Sequence, residues 1–88
     1  MSKPPMVTVF GGTGFVGRYL VQELVKAGYH VQVFARHVQR AARMQPLGYQ
    51  TKVIYRYGDL ANPRSFQDHI KGSLAVINTV GILYERRK

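Results

Sequence analysis

The sequence predicts an α/β fold in which helices cover both faces of a parallel sheet, a doubly wound arrangement. Three observations predict it. Short apolar runs alternate with runs of helical period, the links between them are short, and the first apolar run leads directly into a glycine-rich turn. Such an alternation requires parallel strands joined by right-handed crossover helices. We therefore predict the order β-α-β-α-β-α-β with strands arranged 3-2-1-4, the N-terminal half of a doubly wound sheet.

The strands are predicted from short apolar runs bounded by glycine or polar residues. They are Met6–Phe10, His30–Ala35, Lys52–Tyr57 and Leu74–Val80. The fourth strand would lie at an edge of the sheet, where a second copy of the chain could pair with it. We expect residues 1–88 to form one domain and to be the N-terminal piece of a longer protein.

The first two helices are predicted from apolar spacing. The first runs from Gly14 to Ala27 and ends at Gly28, a residue typical of helix C-termini. Its apolar stripe is expected to face the core and consists of Val16, Leu20, Val21, Leu24 and Val25. The second helix is expected at Val38–Met44.

The third helix is predicted from residues that typically begin and end helices. Asn62 is expected to cap it, and Pro63 to occupy its first turn. Phe66 and Ile70 are four residues apart and would share one face, and Gly72 would end the helix.

Composition narrows the classes of function. Thirteen Lys and Arg residues against four Asp and Glu give a formal net charge of +9, which favours an anionic partner. The basic residues are mostly scattered, so we do not expect nucleic acid to be that partner. The absence of cysteine excludes disulfides and thiolate metal ligands. No apolar run approaches the roughly 18 residues of a membrane span, so no transmembrane segment is expected.

The glycine-rich turn is the strongest functional signal. Gly11, Gly14 and Gly17 lie between a predicted strand and a predicted helix, the context in which such glycines hold the pyrophosphate of a dinucleotide. Phe15 and Val16 open the helix and belong to the same predicted site. A glycine turn that only allows tight packing of strand on helix is the alternative.

The end of the second strand indicates which dinucleotide is bound. A fold that prefers NAD places a carboxylate about twenty residues after the glycines. Arg36 stands there instead, and no carboxylate lies between Gly28 and Gly58. An arginine would bind the 2′-phosphate of NADP, and Arg40 could share it. We therefore predict NADP(H) as the cofactor rather than NAD(H), with two solvated arginines as the alternative.

The ends of the third and fourth strands complete the predicted site. Asp59 could accept a hydrogen bond from the adenine amino group, with Leu60 against the ring. The alternative is that Asp59 caps a turn. Gly81 follows the fourth strand, where backbone close to the cofactor would favour glycine, although an ordinary strand end would also favour it.

No catalytic residue is predicted. Tyr84 and Lys88 are four apart, the spacing of an acid–base pair in short-chain reductases, but they directly follow the fourth strand and the match is interpreted as accidental. The three histidines, His30, His37 and His69, lack metal-ligand spacing. We predict that the 88 residues alone show no turnover.

These motifs together resemble the Rossmann-type atypical or extended short-chain dehydrogenases/reductases. Within them, the resemblance is to the branch of the 39-kDa accessory subunit of respiratory complex I and its bacterial relatives. The stretches that carry it are Val9–Arg18, Val33–Arg36, Gly58–Leu60 and Ala75–Glu85. By this resemblance, the cofactor-binding residues are Gly11, Gly14 and Gly17 at the pyrophosphate, Arg36 at the 2′-phosphate, Asp59 and Leu60 near adenine, and Val80 and Gly81 near the ribose and nicotinamide.

Three functions are consistent with this reading. The first is an NADPH-binding accessory or assembly protein of complex I, in contact with other subunits, in which the nucleotide serves structure. The second is the cofactor-binding half of an NADP-dependent reductase or sugar-nucleotide epimerase, and the third a basic module that binds another anion or nucleic acid. We favour the first. A bacterial cytoplasm, at the periphery of the inner membrane, is the expected location, with the mitochondrial matrix as the alternative.

Overall fold

The computed structural model describes residues 5–11, 14–43 and 52–79. These residues form four strands, two α-helices and one 3₁₀ turn: β1 (Met6–Phe10), α1 (Phe15–Lys26), β2 (His30–Ala35), α2 (Val38–Arg43), β3 (Val53–Tyr57), the 3₁₀ turn (Pro63–Ser65) and β4 (Ala75–Asn78). All strand pairs are parallel, and the order is β3-β2-β1-β4. The predicted fold class and strand order are confirmed. Among the described residues, no helix is both long and apolar enough to cross a membrane.

One face of the sheet, the helix face, carries the apolar core. Val7, Val31 and Val53 are in register across three strands, as are Val9 and Val33 on β1 and β2. Together with Val21 and Val25 of α1, these residues form a single buried cluster. Valine suits this position because its branched side chain packs well on a pleated surface.

Helix α1 ends as predicted. Gly28 has φ of 98°, a left-handed conformation that glycine adopts without strain. Its N–H donates to the carbonyl of Val25 at 3.0 Å, and the N–H of Tyr29 donates to that of Leu24 at 3.1 Å. This pair of bonds is the Schellman motif, which satisfies carbonyls at the end of the helix.

The predicted burial of Val16 is wrong, because its side chain is 56% exposed. The buried row of α1 is Gly17, Val21 and Val25, at intervals of four residues, with Leu20 partly buried beside it. Val16 lies outside this row. A glycine in the row brings the first turns of the helix close to the sheet.

The predicted third helix is also wrong. The connection contains only the 3₁₀ turn, and most of its backbone bonds span three residues, such as His69 N–H to Phe66 at 2.9 Å. Asn62 makes no side-chain cap. Ser65 instead ties the turn to the end of β3, since its hydroxyl donates to the Asn62 carbonyl at 2.7 Å and accepts from the Asp59 N–H at 2.9 Å.

The opposite face of the sheet is covered by this third connection through polar contacts. Thr8 Oγ1 lies 2.6 Å from Ser73 Oγ. Gln32 Nε2 donates to Thr8 Oγ1 at 3.1 Å and to the His69 carbonyl at 3.0 Å. Gln32 Oε1 accepts from Arg56 Nε at 2.7 Å. Two buried polar side chains of the sheet, Thr8 and Gln32, are therefore fully engaged.

Candidate functional site

A cleft of about 380 Å³ opens at the carboxyl ends of β1, β2 and β3. Ligands of doubly wound sheets bind at this edge. The residues lining the cleft are Phe10, Gly11, Phe34, Ala35, Arg36, His37, Arg40, Gly58, Asp59 and Leu60. Five residues predicted from the sequence are therefore brought together here: Gly11, Arg36, Arg40, Asp59 and Leu60.

The floor of the cleft is aromatic. The rings of Phe10 and Phe34 are stacked with centroids 5.2 Å apart, and Phe66 meets Phe10 edge-on at 4.7 Å. A Cβ on Gly58 would lie 2.5 Å from Phe34 Cδ1 and 2.9 Å from Phe34 Cβ, so only glycine fits beside this ring. The sequence reading missed Phe10 and Phe34 as lining residues because their spacing is that of ordinary core positions at strand ends.

Two arginines give the cleft its positive charge. Arg36 follows β2, Arg40 lies on α2, and both are exposed. The ion pairs among the described residues, Lys26–Glu23 and Lys71–Asp68, lie elsewhere. Within the described ranges, neither arginine has a hydrogen-bond or ion-pair partner. Both guanidinium groups are therefore available to an anion in the cleft.

Asp59 is part of a turn as well as of the cleft wall. Its Oδ1 accepts the N–H of Ala61 at 3.0 Å, an Asx turn that holds the chain after β3. The turn-capping alternative is thus present in the structure. A contact of Asp59 and Leu60 with adenine stays a prediction.

The glycines differ in what the fold demands of them. Gly11 lines the cleft with φ of 80°, which favours glycine. Gly14 has an ordinary φ of −79°, and a Cβ there would meet nothing within 4 Å. Neither backbone strain nor packing within the described residues requires glycine at position 14. Its absence of a side chain leaves open space, as close approach of a phosphate needs.

The start of α1 fits an anion. The first N–H groups of an α-helix have no intrahelical partner and carry partial positive charge. At α1 the first intrahelical bond joins Arg18 N–H to the Gly14 carbonyl at 2.9 Å. The preceding N–H groups, those of Phe15, Val16 and Gly17, therefore have no acceptor within the helix. No side chain of the described residues caps this end, and its first turn has no acidic residue. A pyrophosphate would supply the missing acceptors.

Thr79 links the end of β4 to the glycine turn, a role that the sequence reading missed. Its Oγ1 lies 2.7 Å from the Phe10 carbonyl and 2.9 Å from the Gly11 carbonyl. Val80 and Gly81 lie outside the described residues, as does Met44 at the predicted end of the second helix. Within the described residues, no group of His, Asp and Glu could hold a metal ion.

The comparison with protein families shows to which family the chain belongs. A family model described as NAD(P)H-binding matches residues 11–86, which include the start of α1 and every lining residue of the cleft except Phe10. The chain belongs to this family. A helix start without a side-chain cap among the described residues, beside a cleft lined by Arg36 and Arg40, is consistent with an NAD(P)H-binding protein. The assignment of individual residues to parts of the cofactor stays a prediction.

Known relatives agree with the predicted resemblance, which is confirmed. The chain is 40% identical over 83 residues to NADH dehydrogenase (ubiquinone) 1 alpha subcomplex subunit 9 of Dictyostelium discoideum, covering 93% of this chain and 23% of that protein. The Arabidopsis thaliana protein of the same name is 41% identical over 87 residues, covering 93% of this chain and 21% of the relative.

A solved structure matches the fold. Vestitone reductase from alfalfa superposes with a TM-score of 0.66 and 30% identity, over 92% of this chain and 27% of that chain. The chain therefore spans about a quarter of the length of the proteins it matches. The first half of an NAD(P)-binding Rossmann sheet is what these proteins share with it.

Proposed function

We propose that the chain binds NADPH in preference to NADH. The observation that carries this proposal is a pair of arginines, Arg36 and Arg40, that have no hydrogen-bond or ion-pair partner among the described residues. The carboxylate that lines the cleft within the described ranges, Asp59, already holds a turn through Oδ1. A free ribose diol needs a carboxylate acceptor at the end of β2, and a 2′-phosphate needs cations there.

The proposed placement of the cofactor follows from the cleft. The adenosine would lie over Phe10 and Phe34, beside Asp59 and Leu60, with its 2′-phosphate at the arginines. The pyrophosphate would accept hydrogen bonds from the start of α1, close to the open space at Gly14. We propose Val80 and Gly81 for the nicotinamide side.

A calorimetric titration with NADPH and NADH tests the proposal. Arg36→Asp should weaken NADPH binding about 10- to 100-fold, because charge-assisted hydrogen bonds contribute about 1.5–3 kcal/mol. It should also raise the relative affinity for NADH, since a carboxylate there can accept the ribose hydroxyls. Arg43→Asp is the matched control: it makes the same charge change on exposed α2, outside the cleft. An equal loss of NADPH affinity in both variants, or no loss in Arg36→Asp, would overturn the assignment of Arg36 to the 2′-phosphate.

We further propose that the nucleotide has a structural role in an accessory or assembly protein of respiratory complex I. The names of the Dictyostelium and Arabidopsis relatives, which are subunits of an NADH dehydrogenase (ubiquinone), support the association with that complex. Its location would be the bacterial cytoplasm at the inner membrane, or the mitochondrial matrix. Copurification of complex I subunits with the tagged protein is the expected result, and recovery free of them would count against it.

A second candidate is the cofactor-binding part of an NADP-dependent reductase, which the likeness to vestitone reductase favours. The two candidates differ in turnover by the whole protein, since the 88 residues alone are predicted to be inactive under both. We expect the 88-residue chain to leave NADPH absorbance unchanged in the presence of carbonyl substrates. Oxidation of NADPH that depends on both chain and substrate would favour the reductase.

A further inference from the structure

Gly11, the first glycine of the turn after β1, is held from the strands on both sides of β1. Its N–H donates to the Phe34 carbonyl of β2 at 3.2 Å. Its carbonyl accepts from the hydroxyl of Thr79, the residue that follows β4, at 2.9 Å. No other donor among the described residues reaches this carbonyl. Within the described part of the chain, the direction of the Gly11 carbonyl therefore depends on Thr79.

Thr79 also holds the residue before this glycine. Its Oγ1 lies 2.7 Å from the Phe10 carbonyl, and its N–H donates to the same carbonyl at 3.0 Å. A threonine hydroxyl has a single proton, so the carbonyls of Phe10 and Gly11 share it in a three-centre bond. Two successive carbonyls at the end of β1 are thereby directed toward one side chain.

The bond to Gly11 matters because the backbone of this residue has unusual freedom. Its φ is 80°, and glycine adopts positive and negative φ about equally well. A Gly11 carbonyl without a partner could therefore rotate toward the cleft, which Gly11 lines and Thr79 does not. An unpaired carbonyl oxygen carries partial negative charge, so in that position it would repel a phosphate group.

We propose that Thr79 is a positioning residue of the dinucleotide site, whose hydroxyl holds the Gly11 carbonyl away from the pyrophosphate. This inference rests on the proposed binding of the cofactor. It does not rest on the preference for NADPH, because NADPH and NADH carry the same pyrophosphate. Thr79 acts through the glycine, so its hydroxyl affects the affinity for both dinucleotides by the same factor.

Calorimetric titration of Thr79→Val with NADPH and NADH tests this inference. Valine keeps the branched shape of threonine but has no hydroxyl. Both dissociation constants should rise about 2- to 12-fold, the range that corresponds to one neutral hydrogen bond. Thr79→Ser keeps the hydroxyl and should bind both dinucleotides like the unmodified chain. Thr79→Ala also lacks the hydroxyl and should repeat the loss, and it replaces Thr79→Val if that variant does not fold.

Thr8→Val is the matched control, because it removes a threonine hydroxyl from the same sheet at a distance from the glycine turn. Thr8 Oγ1 is bonded to Ser73 and Gln32 on the face opposite the helix face. Its loss leaves buried polar partners unsatisfied, so the urea midpoint should fall. The dissociation constants of the folded Thr8→Val chain should stay unchanged for both dinucleotides.

The outcomes separate this inference from the proposed function. Unchanged dissociation constants in folded Thr79→Val would overturn the inference and leave the proposed function standing. A loss of affinity that Thr79→Ser or Thr8→Val shares would also overturn it, because the loss would not depend on the hydroxyl at position 79. Equal affinities for NADPH and NADH in the unmodified chain would overturn only the proposed preference, and no binding of either dinucleotide would overturn both.

Discussion

The first and third crossover connections of this sheet do the same topological task in different ways. The first is α1, a helix of twelve residues that ends in a Schellman motif at Gly28. The third, between β3 and β4, has a 3₁₀ turn of three residues followed by successive turns. In α1 the backbone bonds are internal to the helix, whereas side chains from elsewhere hold the third connection.

The difference comes from how many apolar positions each connection has. Helix α1 presents a buried row of residues at intervals of four, with Leu20 and Leu24 partly buried beside it. The third connection has only Phe66 and Ile70 as large apolar positions between Asn62 and Gly72, and a helix this short is marginal without a packed face. Phe66 instead packs on Phe10 and Phe34, and the His69 carbonyl bonds to Gln32.

One substitution at the start of each connection tests this contrast most strongly. Gly58→Ala should destabilise the chain by about 3 kcal/mol, the upper range for overpacking, because the new Cβ would meet Phe34. Gly14→Ala should change stability by less than about 0.5 kcal/mol, since its Cβ meets nothing and its φ is ordinary. Urea unfolding measures both.

The same pair of variants separates packing from ligand binding. Gly14→Ala should weaken NADPH binding in spite of its normal stability, because the methyl group would occupy the space proposed for the pyrophosphate. Normal NADPH affinity in Gly14→Ala would contradict the assigned role of this glycine. Normal stability in Gly58→Ala would contradict the tight fit against Phe34.

Removing the Phe66 ring should reduce the free energy of unfolding by less than Gly58→Ala does. Phe66→Ala should cost about 2 kcal/mol, less than the 3–5 kcal/mol of a fully buried phenylalanine, because Phe66 is only partly buried. Urea unfolding with circular dichroism is the measurement. Gln67→Ala, at the exposed neighbouring position, should leave the midpoint unchanged. A drop in the helix signal of folded Phe66→Ala would mean that the third connection supports α1. It would contradict the conclusion that α1 is held by bonds within the helix.

The smallest effect concerns the helix face that α1 covers. Burial raises the pKa of the Tyr55 hydroxyl above its ordinary value near 10. The folded state therefore favours the neutral phenol, and the stability that this provides is present in full below about pH 10 and is lost as the pH rises further. Tyr55→Phe should show a weaker decline of its urea midpoint between pH 9 and 11.

Tyr57→Phe is the control on the same strand, because Tyr57 is 53% exposed. Identical declines in the two variants would show that burial of Tyr55 does not govern this pH dependence.

Much of the fold was predictable because its signals are local. Valine-rich strands, the glycine turn and Gly28 each act within a few residues, so the strands, their order and α1 follow from the sequence. Arg36 was also predictable as a candidate, because its distance from the glycines along the chain is set by one β-α-β unit.

Other features were decided only by the tertiary structure. The exposure of Val16 depends on which row of α1 meets the sheet, and the form of the third connection depends on Phe10, Phe34 and Gln32, which are distant in sequence. The requirement for glycine at position 58 comes from the Phe34 ring across the sheet.

The cleft is also decided by the tertiary structure. Its wall joins the end of β2 to the turn after β3, which places His37 in one cleft with Arg36, Arg40 and Asp59. Sequence alone determined the elements and the charges that each one carries. Which side chains share a surface was decided by parallel pairing, because it is the register of the sheet that brings the strand ends together.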